Sequence, residues 1–456
     1  MLRLLRAPKI DATKGPLVKS MLVYALPIIL STIIQDLFNT IDLAVVARMG
    51  SLVAHASIGA TSTITTLIVN SFFGLSTGVK IMLSRYYGAK DEDSARKTVG
   101  TALISSFFIG VAIAVVGIIL APTFLEFVNC PEECVSGATL YIRLYVAAAP
   151  AILVYNFGAA IIRSLGDSQR PLYYILICGL VNIVLNIILC IILPEKVLAV
   201  AIATVVSQIL GAFLVVWRLT RIDGIGKVEF KTLSFDMPMF AKILRYGFPV
   251  ALSAALFPLA NLQIQSALNS YGAAAISGST ASQALDKFPL AVGSGFCAAT
   301  IAFAGQNIGA NKPDRVKKTF VHAVWISTLL ATASSLFLYF TSDVWLAILQ
   351  PNAPEATEFA KIRMIYLLLF YGLMGPINVW SGALQAFGYT VLNTVTSLTT
   401  VLGFRTVWMT FVYPRVPTFH VLMQCFTVSL FLRAAAYLIF FLVVYRRYKK
   451  GKYAKM

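Results

Sequence analysis

The sequence predicts an all-α integral membrane protein with twelve transmembrane helices in two six-helix lobes. Of its 456 residues, 58% are hydrophobic and only 12% are charged, whereas soluble proteins carry about 25% charged residues. Unbroken apolar stretches long enough to span a bilayer recur along the chain, and a β-barrel would show alternation instead. Landmarks also recur at a constant spacing in the two halves, which predicts lobes related by pseudo-twofold symmetry.

The predicted spans alternate with loops of different charge. The net charge is +18, from 37 Lys and Arg against 19 Asp and Glu. Basic residues concentrate at both ends and in every second loop, apart from the loop around Gly388. By the positive-inside rule, this places both termini in the cytoplasm. The charge is therefore interpreted as a topology signal, and no nucleic-acid partner is expected. The predicted spans are residues 20–46, 53–83, 98–121, 138–163, 171–193, 198–218, 246–270, 276–304, 319–341, 361–386, 391–412 and 420–444.

The repeat defines the domain organisation. Pro27 and Pro249 are 222 residues apart, as are Asn39 and Asn261. Six spans separate the copies, so both have the same orientation and are related by an axis along the membrane normal, a transporter layout with a central cleft. The predicted segments are a cytoplasmic N-terminal segment (1–19), an N-lobe (20–218), a cytoplasmic inter-lobe linker (219–245), a C-lobe (246–444) and a basic cytoplasmic tail (445–456).

The first span carries two carboxylates, Asp36 and Asp42, inside an apolar run of helix length. On a helix, Gln35, Asn39 and Asp42 share one face. A carboxylate inside a span costs about 2.5–3.5 kcal/mol on insertion scales and usually faces a polar cavity. The alternative is that both aspartates are solvated near the ends of the span. Burial disfavours the charged form of a carboxylate, so Asp42 is predicted to take up a proton.

Two further charged residues lie inside predicted spans. Asp286 either pairs with the adjacent Lys287 or faces the cleft. Arg405 is deep enough in its span to need a partner, and a structural partner is expected.

Other motifs do not predict chemistry. Residues 74–78, GLSTG, match the nucleophile elbow of hydrolases, but that motif requires a strand–turn–helix context. Gly74 and Gly78 instead have the spacing of a close helix contact. Cys130 and Cys134 lie in one polar loop, and their pairing is left open. We therefore predict that the chain is not an enzyme and has no catalytic residue, metal site or cofactor.

Several passages together carry a family resemblance. They are the proline, glutamine, asparagine and aspartate pattern of span one, GLSTG followed by SRYYGAK, RSLGDSQRP, GQNIGA, and DKFPL at 286–290. Across nearly its full length the chain resembles the multidrug and toxic compound extrusion (MATE) family, in particular its prokaryotic DinF-like or MepA-like branch. The resemblance implies a V-shaped pair of lobes. It also implies an antiporter that exports cationic or amphipathic compounds in exchange for protons or sodium.

The resemblance also implies roles for individual residues. Asp42 takes the place of the coupling carboxylate, and Gln35 that of the glutamine on the same face. Asn182, Asn186 and Thr204 match the fifth- and sixth-helix positions of the cation site, to which the shared helix face adds Asn39. The family usually has an acid where this chain has Asn186, so Asp42 is the main charge of this cluster and proton coupling is expected. The predicted cation-coupling residues are thus Asp42, Gln35, Asn39, Asn182, Asn186 and Thr204.

The predicted function is a secondary active antiporter that works by alternating access. Its expected partners are a small organic cation or amphipathic drug and the bilayer, with H⁺ or Na⁺ as coupling ion. We expect a monomer in the plasma (inner) membrane of a prokaryote. The predicted substrate-binding residues are Asp36, Asp286, Tyr155 and Phe257. The alternative function is a lipid-linked precursor flippase of the same superfamily, which usually has a more cationic cleft.

Overall fold

The computed structural model describes residues 9–49, 52–127, 130–231, 233–350 and 353–451, and all regular structure in these ranges is helical. Short 3₁₀ or π segments follow α13, α15 and α16. The α-helices are α1 (Leu17–Met49), α2 (Leu52–Ala89), α3 (Glu92–Phe127), α4 (Glu132–Ala147), α5 (Ala149–Ser164), α6 (Gln169–Ile192), α7 (Lys196–Thr220), α8 (Met237–Leu256), α9 (Leu259–Asn269), α10 (Gly272–Gly309), α11 (Pro313–Phe340), α12 (Ser342–Leu349), α13 (Pro354–Leu367), α14 (Met374–Ala386), α15 (Thr390–Leu398), α16 (Phe404–Val407) and α17 (Phe419–Lys449).

The helices confirm the predicted all-α membrane architecture. Within the described residues, eleven helical segments are long and apolar enough to cross a bilayer. Together, α4 and α5 are also long and apolar enough, and this pair, bent by 46°, brings the number of candidate spans in the described residues to twelve. Pro150 lies in the first turn of α5, where its missing N–H does not interrupt that helix but prevents α4 from continuing unbroken. Each predicted span coincides with one of these twelve segments.

The inter-lobe loop is shorter than predicted. The sequence prediction placed the linker at residues 219–245, whereas α7 continues to Thr220 and α8 begins at Met237. The physical reason is an N-cap: the Asp236 carboxylate accepts a hydrogen bond from the Met239 N–H at 2.9 Å. Pro238 occupies the first turn, where proline is favoured. The cap and the proline start the helix nine residues before the predicted span.

The described chain forms two compact units. Unit 1 contains residues 9–11 and Leu30–Ala251, and unit 2 contains Ala12–Ile29 and the described residues from Leu252 onward. The predicted lobes, 20–218 and 246–444, differ from these units at their ends, because α1 and α8 each contribute to both units. The two division points, after Ile29 and after Ala251, are 222 residues apart, the spacing of the sequence repeat.

Small residues allow the first part of α8 to pack closely against α2 in unit 1. A Cβ atom on Gly74 would lie 2.5 Å from the Cα atom of Ala251, and one on Gly78 would lie 2.3 Å from the carbonyl oxygen of Ile243. Conversely, a Cβ atom on Gly247 would lie 2.3 Å from the carbonyl oxygen of Leu75. The glycines at 74 and 78 therefore act in helix packing, as predicted from their spacing.

Unit 2 contains the corresponding arrangement of α1 and α10. The rings of Tyr24 and Phe303 meet edge to face with centroids 5.5 Å apart. A Cβ atom on Gly295 would lie 2.4 Å from the side chain of Ile29. Each unit thus packs the first part of one repeat's leading helix against the second helix of the other repeat.

The two loop cysteines are both free thiols. Cys130 is partly exposed and contacts the carbonyl oxygen of Pro131 at 3.8 Å, while Cys134 is buried on α4. No disulfide forms between them.

Candidate functional site

A cavity of about 470 Å³ lies within unit 1. Six helices line it: α1, α2, α4, α5, α6 and α7. Its volume is within the range of about 300–1,000 Å³ that is usual for small-molecule sites. The described lining residues are Thr32, Gln35, Asp36, Phe38, Asp42, Ile58, Thr61, Ser62, Thr65, Thr66, Val69, Asn70, Tyr141, Tyr145, Tyr155, Ile175, Cys178, Gly179, Asn182, Val200, Thr204, Ser207, Gln208 and Gly211.

Two amides hold the Asp42 carboxylate at the cavity wall. The Asn186 amide donates to Oδ1 of Asp42 at 2.7 Å. Asn182 satisfies its hydrogen bonds best with its amide nitrogen turned toward the carboxylate, where it donates to Oδ1 at 2.7 Å. Asn182 and Asn186 are both buried, one turn apart on α6. The helix spacing of four residues thus brings both amides to one carboxylate from α1.

Hydroxyl groups complete the surroundings of this carboxylate. Thr204, on α7, lines the same cavity and donates to the Val200 carbonyl oxygen at 2.9 Å. Tyr141, on α4, lines the cavity as well. The surroundings of Asp42 therefore draw on four helices, α1, α4, α6 and α7.

The other predicted residues of unit 1 fall around this cluster. Gln35 and Asp36 line the cavity and are at least partly exposed. Tyr155 is buried in its wall, and its hydroxyl donates to the Pro171 carbonyl oxygen at 3.4 Å. The side chain of Asn39 lies outside the described part of the structure.

The two remaining predicted substrate residues belong to unit 2. Asp286 is buried, and its carboxylate accepts a hydrogen bond from Nη2 of Arg363 at 2.8 Å. Its ion-pair partner is thus Arg363, 77 residues away. Phe257 lies at the break between α8 and α9 and is 38% exposed. Neither residue lines the cavity of unit 1.

Sequence reasoning missed one wall of the cavity. Thr61, Thr65 and Asn70 project from α2, together with their hydroxyl-bearing neighbours. The available signal was the passage TSTITTLIVN at 61–70, which places many hydroxyl groups in an otherwise apolar span. Such groups inside a span usually face a polar cavity or another helix. Tyr141 and Gln208 were also missed, since a single tyrosine or glutamine carries little pattern information.

The charge of the cavity lining has one sign. Among the described lining residues, Asp36 and Asp42 are acidic and none is basic. Aromatic side chains from three helices accompany them: Phe38, Tyr141, Tyr145 and Tyr155. Carboxylates and aromatic faces both attract organic cations.

Comparison with known proteins places the chain in a family. The family model described as MatE matches residues 27–188 and again residues 249–409, which together make up more than half of the chain. The chain belongs to the MatE family. The two matches start 222 residues apart, so the family model recognises the same repeat as the sequence landmarks. This confirms the resemblance to MATE transporters, and the chain is a multi-pass membrane transporter.

Individual known proteins are similar to most of the chain. The probable multidrug resistance protein YoeA of Bacillus subtilis is 26% identical over 401 residues, covering 84% of each chain. A FAD transporter of Shewanella oneidensis is 23% identical over 358 residues, covering 77% of this chain and 78% of that protein. A crystal structure of MATE in complex with MaL6 has a TM-score of 0.89 at 20% identity, covering 97% of this chain and 99% of that one. The fold is therefore that of MATE transporters.

Proposed function

We propose that this MatE protein exports cationic or amphipathic organic compounds from a bacterial cell in exchange for protons, with Asp42 as the coupling carboxylate. The observation that carries this proposal is the unit 1 cavity, whose described lining holds two carboxylates and no basic residue. Membership of the MatE family and the similarity to a probable multidrug resistance protein support the same conclusion.

The surroundings of Asp42 favour exchange of a proton for a cation. Its described hydrogen-bond partners are the neutral amides of Asn182 and Asn186. A carboxylate in a span without a permanent cationic partner is stabilised either by protonation or by a bound cation. A proton and a cationic substrate therefore compete for the same group, which is the requirement for antiport.

Alternating access follows from this competition. Protonation removes the charge of Asp42 and weakens its attraction to a cationic substrate. It also allows α1, which contains Pro27, to repack, because an interior proline removes one backbone hydrogen bond. We propose that the proton enters while the site faces outward and leaves while it faces the cytoplasm. Both chain ends are proposed to be cytoplasmic, as their basic residues indicate.

The experiment compares ethidium export by the wild type and Asp42→Asn under separately imposed proton and sodium gradients. The expected result is proton-driven export by the wild type and its loss in the variant. Asp343→Asn is the matched control, since this aspartate forms an exposed ion pair with Lys361 in unit 2. Full export by Asp42→Asn would exclude the proposed coupling role.

Asn186→Asp tests the choice of ion. A second carboxylate would lie at hydrogen-bond distance from Asp42, and two like charges at that distance cannot both remain ionised without a cation. We expect export by this variant to gain a dependence on sodium that the wild type lacks. Export driven only by sodium in the wild type would retain antiport but contradict proton coupling.

The flippase alternative finds no support in unit 1. A lipid-linked precursor carries phosphate groups, which basic side chains recognise. The described cavity lining has none.

A further inference from the structure

The 222-residue repeat relates the cation site of unit 1 to a group of side chains in unit 2. Tyr141 on α4 corresponds to Arg363 on α13, and Thr204 on α7 corresponds to Phe426 on α17. Asn261, on α9, corresponds in sequence to Asn39 on α1, three residues before Asp42. The equivalent place in the second repeat therefore carries an arginine where the first repeat carries a tyrosine.

Arg405 joins this group from α16. Its Nη1 donates to Oδ1 of Asn261 at 2.6 Å. The guanidinium groups of Arg405 and Arg363 lie over the Phe426 ring, at 4.6 and 5.1 Å from its centroid. A π-helical segment precedes Arg405 at Thr399–Gly403 and another follows it at Trp408–Val412. Single π turns inside α-helices are frequent at functional sites.

The buried charges of this group do not balance. Among the described residues of unit 2, the buried charged side chains are Arg363, Arg405 and Asp286. Asp286 is hydrogen-bonded to Arg363 and neutralises one guanidinium. Arg405 has a neutral amide as its partner, and its Nε is buried without any hydrogen-bond partner in the described structure. A buried cation inside a span is costly unless an anion accompanies it.

A polar stripe leads from the surface of unit 2 to Arg405. Asn261, Gln265 and Asn269 are spaced four residues apart on α9 and so share one face. Asn261 and Asn269 are exposed, and Gln265 donates to Asn269 at 3.0 Å. Amides on the surface of a span are expected to face water rather than lipid. Asn261 is itself exposed, so its hydrogen bond with the buried Arg405 lies next to the surface of unit 2.

We propose that Arg405, beside Asn261 and the Asp286–Arg363 pair, binds the carboxylate or phosphate group of an organic anion. The anionic oxygens replace the Asn261 carbonyl oxygen on Arg405 and occupy its free Nε–H, because a guanidinium presents paired N–H groups that match carboxylate and phosphate geometry. The chain then has two ligand sites of opposite charge, one in each repeat. This site is independent of the cation export proposed for unit 1.

The test measures binding of carboxyfluorescein to the purified full-length protein in phosphatidylcholine nanodiscs by fluorescence anisotropy. Asn261→Asp places a fixed carboxylate beside Arg405 while keeping the arginine and the side-chain size. We expect this variant to bind carboxyfluorescein about tenfold or more weakly. The new carboxylate occupies the Arg405 N–H group, so the external anion loses a charge-assisted hydrogen bond. Asn269→Asp adds the same charge two turns away and is expected to bind nearly as the wild type does.

A second variant and a competition identify the ligand. Arg405→Gln is expected to lose binding, and Arg405→Lys to retain part of it, because lysine keeps the charge without the paired N–H groups. Competition by benzoate alone indicates a free organic anion, and loss of dye binding in nanodiscs containing phosphatidylglycerol indicates a lipid headgroup; either supports the site. Absence of saturable binding by the wild type would overturn the proposal. Equal binding by Asn261→Asp and Asn269→Asp would do so as well, even if Arg405→Gln did not fold.

Ethidium export measured on the same proteins separates the two proposals. Asp42→Asn is expected to lose export and to keep carboxyfluorescein binding. Asn261→Asp is expected to keep ethidium export and to bind carboxyfluorescein more weakly.

Discussion

Asp42 and Asp286 both lie within long apolar helices, yet their surroundings in the two units differ. In unit 1 the Asp42 carboxylate lies at a cavity and accepts hydrogen bonds from neutral amides. In unit 2 the Asp286 carboxylate is buried against Arg363. A carboxylate with neutral partners can change its charge at little structural cost, whereas one in a buried ion pair cannot. The partner, rather than the aspartate itself, therefore decides whether such a residue suits ion coupling.

The largest expected effect is on stability, from the same substitution in each unit. Asp286→Asn leaves Arg363 as an uncompensated buried charge, and we expect the protein to be destabilised by about 3–5 kcal/mol. Asp42→Asn leaves no cation unpaired, so its midpoint of thermal unfolding in detergent should stay near that of the wild type. Asp343→Asn, which disrupts an exposed pair, serves as the control. If Asp286→Asn and Asp42→Asn lowered the unfolding midpoint equally, the two aspartates would not differ in their need for a charged partner.

The double variant Asp286→Leu with Arg363→Met sharpens this comparison. Replacing a buried ion pair with apolar residues of similar volume is often neutral or stabilising. We expect the double variant to unfold at a higher temperature than Asp286→Asn. If the double variant unfolded at a lower temperature than Asp286→Asn, the ion pair would stabilise unit 2 through more than the neutralisation of its two charges.

A smaller effect is expected from the shape of the unit 1 cavity. A Cβ atom on Gly179 would lie 1.8 Å from the ring of Phe38, which lines the cavity. Gly179→Ala should therefore displace this ring, lower ethidium export and cost about 1–3 kcal/mol of stability. A Cβ atom on Gly211 would lie 3.3 Å from Tyr155 and 3.4 Å from Cys178. We therefore expect Gly211→Ala to have a weaker effect on export. Export rate and ethidium affinity of both variants check this order.

The smallest effect is expected at the Lys227–Glu229 pair, in the loop after α7. The two side chains are 2.8 Å apart and about half exposed. The hydrogen bond lowers the pKa of Glu229 and raises that of Lys227. The carboxylate's contribution to the free energy of unfolding is thus lost as pH falls through its lowered pKa. The ammonium group's contribution is lost as pH rises through its raised pKa.

Solvent screening makes this contribution small at every pH. Glu229→Gln should leave the unfolding midpoint unchanged at physiological salt and neutral pH. A decrease comparable to that of Asp286→Asn would contradict the distinction between exposed and buried pairs.

Sequence reasoning reached part of the candidate site through the family resemblance. Asn182 and Asn186 are one turn apart, and the family resemblance placed both beside Asp42, where the structure also has them. The prediction for Asp286 considered only Lys287 or the cleft, since Arg363 is remote in sequence. The site role of each residue stays a prediction until transport is measured.

By itself, the sequence determined the spans and their repeat, because hydropathy, loop charge and residue spacing are local properties of the chain. Its motifs carried the family resemblance. Only the tertiary structure decided that Arg363 neutralises Asp286, that α2 lines the cavity with hydroxyl groups, and that α1 and α8 each contribute to both units. These features depend on how each helix is rotated and which helix it contacts. Spans that are apolar on most faces carry little periodic signal for that rotation.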